Sequence, residues 1–127
     1  MANLRNILYV EDDLHTRTQA KLALEVIGKY TVRECRSGSD ALEAASTFDP
    51  DLIVLDAGLL TRDGVDTLSM LRGVARLANT PVLFFSASAN PANLHDKRAI
   101  GVIVKPFMPL RLADQLATLW TRHASAR

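Results

Sequence analysis

Five short runs rich in apolar, β-prone residues recur along the chain, and stretches of helical pattern separate them: Ile7 to Val10, Tyr30 to Cys35, Leu52 to Leu55, Pro81 to Phe85 and Gly101 to Val104. Few architectures accept that alternation, because parallel strands need a long crossover and a helix is its usual form. It predicts a parallel sheet with helices on both faces. Runs without a polar break, such as Leu52 to Leu55, suit strands buried on both sides, whereas the charged run ending at Cys35 suits an edge.

The helical stretches have readable faces and stops. Leu14 to Ile27 places Ala20, Leu24 and Ile27 on one face and ends at Gly28, while Ser39 to Phe48 follows a Ser-Gly turn and ends before Pro50. Val65 to Leu77 turns Leu68, Leu71 and Ala75 to the core, and the last helix aligns Leu112, Leu116 and Leu119. Only 18 residues separate Ser86 from Lys105, and Asn90-Pro91 interrupts them, so a short or irregular fourth helix is expected there.

At 127 residues the chain suits a single domain over 1–127. A net charge of +1 with both signs interspersed leaves no basic stripe, which argues against direct nucleic-acid binding. No apolar run approaches the roughly 18 residues of a membrane span, so no membrane partner is expected. Met1 to Val10 lacks the hydrophobic stretch of a secretory leader, and a lone Cys35 fits a reducing, cytoplasmic setting.

In a doubly wound parallel sheet the binding crevice lies beyond the carboxyl ends of the strands. Glu11 and Asp12 follow the first run, Asp56 the third, Ser86 the fourth and Lys105 the fifth. Carboxylates brought together repel unless a cation intervenes, and a set of hard oxygen donors without His or Cys suits Mg²⁺. With Lys105 as countercharge and Ser86 as hydroxyl donor, the set fits phosphoryl transfer onto Asp56, where positioning and charge neutralisation are the protein's work.

The motifs Ile7 to Asp13, Leu52 to Gly64, Pro81 to Ala89 and Val104 to Phe107, in that order, resemble the response-regulator receiver domain of two-component signalling across essentially the whole chain. The resemblance implies a flavodoxin-like (βα)5 sandwich with strand order 2-1-3-4-5. It implies metal binding by Asp12 directly, by Glu11 mainly through bound water, by Asp56 and by the Gly58 carbonyl. Asp56 matches the phosphoacceptor, Ser86 the hydroxyl switch, and Lys105 the lysine that precedes a cis proline. Implied partners are a sensor histidine kinase or histidine phosphotransfer protein and an unidentified protein effector, with the chain a monomer or weak dimer and a switch rather than a conventional enzyme. Two positions depart from the family: Leu60 stands where proline is usual, and Val102 where a mobile Tyr or Phe is usual. They predict a looser loop after Asp56 and a non-standard readout.

Other polar residues read as structural. Asp13 suits a helix cap, Asp63-Gly64 a turn, Cys35 edge-strand packing, and His15, His95 and His123 lie apart from the acids. Leu22, Val26 and Trp120 add apolar surface of an ordinary kind. A pseudo-receiver not regulated by phosphorylation would be marked by loss of a site residue, and none is lost. A dehalogenase-type phosphatase needs a second Asp where Gly58 stands, and a purely structural protein gives no reason to gather five reactive groups.

Overall fold

The computed structural model describes residues 3–62, 65–88 and 96–125. In chain order the elements are β1 (Asn6–Val10), α1 (Leu14–Val26), β2 (Thr31–Cys35), α2 (Gly38–Ala44), β3 (Leu52–Asp56), β4 (Thr61–Arg62), β5 (Val65–Asp66), α3 (Thr67–Arg72), β6 (Val82–Ser86), β7 (Ala99–Val104) and α4 (Pro109–Ser125). Five strands form one parallel sheet in the order β2-β1-β3-β6-β7, which is the predicted 2-1-3-4-5 when sheet strands alone are counted. The charged strand β2 lies at one edge, as its composition requires.

Side-chain alternation divides the interior into two layers. Leu8, Val10, Ile53, Leu55 and Phe84 meet Ala41, Ala44, Leu68 and Leu71 of α2 and α3 on one face. Ile7, Tyr9, Val54, Leu83 and Phe85 meet Ala20, Leu24, Leu112 and Leu116 of α1 and α4 on the other. Tyr9, Phe85 and Phe107 form a row in this second layer, with ring centroids 5.5 Å and 5.2 Å apart. At Gly101 the backbone takes φ +155° beside a register shift in β7, and a Cβ there would come within 2.8 Å of Leu119. The bulge therefore accepts glycine and little else.

Several boundaries differ from the pattern-based expectation. The helix predicted over Val65 to Leu77 is divided: Val65–Asp66 pairs antiparallel with Thr61–Arg62, α3 ends at Arg72, and a 3-10 turn covers Ala75–Leu77. Asp66 accepts from the Ser69 N–H and so starts the helix, and Gly73 closes it. Ala75 is therefore exposed and Leu77 is buried instead. Helix α2 stops at Ala44 rather than Phe48, with Ser37 capping it through the Asp40 N–H. Ile27 is 43% exposed and is replaced on the buried face of α1 by Arg17 and Ala23.

Trp120 and Leu119 rest against the second layer, whereas Leu22 and Val26 are exposed. The expected fourth helix, with Asn90-Pro91 and His95, falls largely on 89–95, outside the described residues, as does Asp63-Gly64. No described helix is long and apolar enough to cross a membrane.

Candidate functional site at the carboxyl rim of the sheet

Strand register assembles the site. Asp56 ends β3 opposite Phe85, Ser86 ends β6 opposite Val104, and the Lys105 N–H donates to the Ser86 carbonyl at 2.8 Å. The next strand over ends at Val10, and Glu11 continues its line by donating its N–H to the Cys35 carbonyl at 2.9 Å. Asp13 then caps α1, accepting from the Thr16 N–H and hydroxyl at 2.9 Å and 2.6 Å, so it is the structural member of its triplet. These bonds hold the Asp13 carboxyl below the usual carboxylate range.

Glu11, Asp12 and Asp56 each present an oxygen within 4.8 Å of the others. Lys105 lies among them, its ammonium 2.8 Å from Glu11 Oε1 and 3.0 Å from Asp56 Oδ1. One ammonium between the Glu11 and Asp56 carboxylates leaves one formal negative charge that it does not offset. Burial pushes the Glu11 carboxyl upward, helped by the Asp56 charge and opposed by the hydrogen bond from Lys105. Burial works against the charged form of Lys105, yet its bonds and attraction to Glu11 and Asp56 outweigh that and hold its pKa above the ordinary value. A donor set of carboxylate oxygens without nitrogen or sulfur suits a hard divalent cation such as Mg²⁺. A second cation there would offset the charge that Lys105 leaves.

Gly58 lies in the 3-10 turn Ala57–Leu59, where a Cβ would stand 3.2 Å from Asp56 Oδ2. A side chain there would crowd the carboxylate. Leu60 closes that turn by donating its N–H to the Ala57 carbonyl at 3.2 Å, and its own carbonyl accepts from Thr67 at 3.0 Å. The Thr67 hydroxyl adds a bond to the Leu59 carbonyl at 2.6 Å. The loop is thus tied by donors that a proline at 60 would in part remove, and the looseness expected from Leu60 is countered by these bonds. The buried Ser86 hydroxyl accepts from the Ser88 N–H at 3.1 Å. Val102 is half-buried against the layer beneath α2 and α3. The Lys105-Pro106 peptide is cis.

Two neighbours of the acids escaped the sequence reading. The Tyr9 hydroxyl faces Glu11 Oε1 at 3.5 Å, and burial, followed by the Glu11 charge, pushes the phenol well above its usual range. Arg17 donates Nη1 to the Glu11 carbonyl at 2.9 Å. Its signal was present: Arg17 precedes Ala20 by three residues and Leu24 by seven, the spacing of one helical face. His15 is exposed, and His123 lies against Trp120 at 6.4 Å, so neither joins the acids.

Comparison with known proteins bears on the family and the fold. The family model of the response regulator receiver domain matches residues 7–117. The transcriptional regulatory protein GltR of Pseudomonas aeruginosa is 31% identical over 128 residues, covering 95% of this chain and 51% of that protein. The aerobic respiration control protein ArcA of Escherichia coli is 31% identical, covering 92% of this chain and 49% of that one. The chain thus spans about half the length of the curated relatives it matches. Among solved structures, the chemotaxis response regulator CheY4 of Vibrio cholerae superposes with TM-score 0.76 at 25% identity, over 92% of this chain and 99% of that one. A response regulator from Desulfuromonas acetoxidans gives 0.77 at 26%, over 93% and 98%.

Proposed function

Since the chain belongs to the response-regulator receiver family, we propose that it is a phosphorylation-dependent switch with Asp56 as the phosphoacceptor. The observation that carries this reading is the Lys105 ammonium seated between Glu11 and Asp56, beside a cluster of three carboxylates at the ends of central strands. Pseudo-receivers are expected to lose part of that set.

In this reading an Asp56 carboxylate oxygen bonds to phosphorus in line as the donor's phosphorus–nitrogen bond breaks, and the donor is a histidine kinase or histidine phosphotransfer protein. Magnesium held by Glu11, Asp12, Asp56 and the Gly58 carbonyl would supply neutralising charge for the transferred oxygens. Lys105 exchanges part of its contact with Asp56 for a phosphoryl oxygen. Ser86 donates its hydroxyl proton to another, a bond that accepting from the Ser88 N–H does not preclude and that forms only where the 86–88 turn brings the hydroxyl to the phosphoryl group. The phosphorylated state therefore favours one loop arrangement over the other, shifting a population and with it the choice of protein effector. Water attack on the acyl phosphate reverses the change, so the chain supplies self-phosphorylation and self-dephosphorylation chemistry without being a conventional enzyme. The reading places it in the cytoplasm as one receiver domain, monomeric or weakly dimeric.

The test is incubation of wild type and Asp56→Ala with acetyl phosphate and magnesium, alongside beryllofluoride binding. Wild type should gain one acid-stable, base-labile phosphate and bind beryllofluoride; Asp56→Ala should do neither. A wild type inert to both reagents refutes the switch.

A further inference from the structure

Arg17 is buried at 7% exposure, yet the phosphoryl-transfer scheme gives it no task. Withdrawing a guanidinium from water costs several kcal/mol unless partners replace the solvent, so its partners indicate what it is for. Nε stands 3.4 Å from Glu34 Oε2 on the edge strand β2, but without hydrogen-bond geometry. Lys21 reaches the same carboxylate at 3.8 Å. The formed hydrogen bond goes elsewhere, from Nη1 to the Glu11 carbonyl at 2.9 Å.

That carbonyl belongs to the peptide joining Glu11 to Asp12. Because a peptide unit is planar, gripping its oxygen also sets the direction in which the Asp12 Cα leaves it. The N–H on the other side of Glu11 is already held by the Cys35 carbonyl at 2.9 Å. The backbone is therefore clamped on both sides of one acid and immediately before the next. We infer that Arg17 is a positioning residue for the divalent-cation site: through the Glu11 carbonyl it aims the Asp12 carboxylate toward Glu11 and Asp56 before any cation arrives. The ordering cost is then met on folding rather than on binding. Glu34 anchors the guanidinium from behind. The inference rests on the receiver reading above.

A simple tie between α1 and β1 would contribute stability and leave cation affinity alone, so the deciding measurement is affinity in folded protein. Magnesium chloride is titrated into wild type, Arg17→Met, Arg17→Lys and Glu34→Gln, following backbone amide shifts by NMR below the melting temperature of each. Arg17→Met should weaken magnesium about 10-fold or more, within the range seen for loss of groups that orient metal ligands. Arg17→Lys keeps one donor on a long stem and should recover most of the affinity. Glu34→Gln leaves the carbonyl bond in place and should change affinity less than Arg17→Met does. If Arg17→Met does not fold, Arg17→Gln, whose side chain falls short of the carbonyl, carries the same expectation. A folded variant without the donor that binds magnesium as wild type does overturns the inference alone. A wild type that binds no magnesium overturns the receiver reading and this inference with it.

Discussion

The two rims of the sheet treat charge in opposite ways. At the amino ends of the strands, Arg72 donates Nη1 to the Leu77 and Thr80 carbonyls at 2.7 Å and 2.6 Å and pairs with Asp96 at 2.9 Å. Asp51 there accepts from the Arg5 and Asn6 N–H groups at 3.0 Å and 2.9 Å. At the carboxyl ends, Glu11 and Asp56 share one lysine, with Asp12 close beside them. One rim satisfies its charges and closes the crossovers; the other gathers acids whose mutual repulsion a divalent cation would relieve. On the proposed reading, the chain concentrates stability at one end of its strands and chemistry at the other.

Removing charge should therefore have opposite signs at the two rims. Arg72→Met gives up two carbonyl bonds and leaves Asp96 mostly buried without its cation, so it should cost about 3 kcal/mol. Denaturant melts check this, and a loss within experimental error would mean that the amino rim is not held by that residue.

Cys35 tests how dry the base of the carboxyl rim is. It is buried where β2 ends, and burial pushes its thiol from 9.0 up to about 11. Between those values the unfolded chain releases the proton and the folded chain keeps it, so stability falls as pH rises through the window. At pH 10 the thiol should cost about 1.3 kcal/mol relative to pH 8, a loss that Cys35→Ala lacks. Parallel pH dependence in the two proteins would show a hydrated pocket.

The smallest effect has the reverse sign. Asp56→Asn removes one of three crowded carboxylates while Lys105 keeps Glu11, so without magnesium the variant should melt higher, by about 1 kcal/mol of stability. Added magnesium should then stabilise wild type more than the variant. A variant that melts lower in magnesium-free buffer would mean that the Lys105–Asp56 pair outweighs the repulsion, and the proposed contrast between the rims would lose its basis.

Much of this was legible in the chain and some was not, for reasons that differ by residue. The strand cores were visible because a strand buried on both faces must be uninterruptedly apolar, and their ends were visible because polarity returns there at once, at Glu11, Asp56, Ser86 and Lys105. The third helix was not, because the Val65 to Leu77 pattern is helical throughout, while the Asp66 cap and the ribbon with Thr61–Arg62 delay its start and Gly73 closes it early. Arg17 was overlooked because a charged residue on a core-facing position is ordinarily discounted, although its spacing to Ala20 and Leu24 marked the face.

Composition and order along the chain determined the kind of fold and the kinds of atoms at its rim, since apolar periodicity and strand-end polarity are local properties of sequence. Tertiary structure decided which of those atoms meet. Register sets Asp56 beside Phe85 and Ser86 beside Val104, places Lys105 between two acids, and turns Arg17 onto the Glu11 carbonyl. Those distances follow from how sheet and helices pack across the whole chain, a non-local balance that no short stretch of residues encodes.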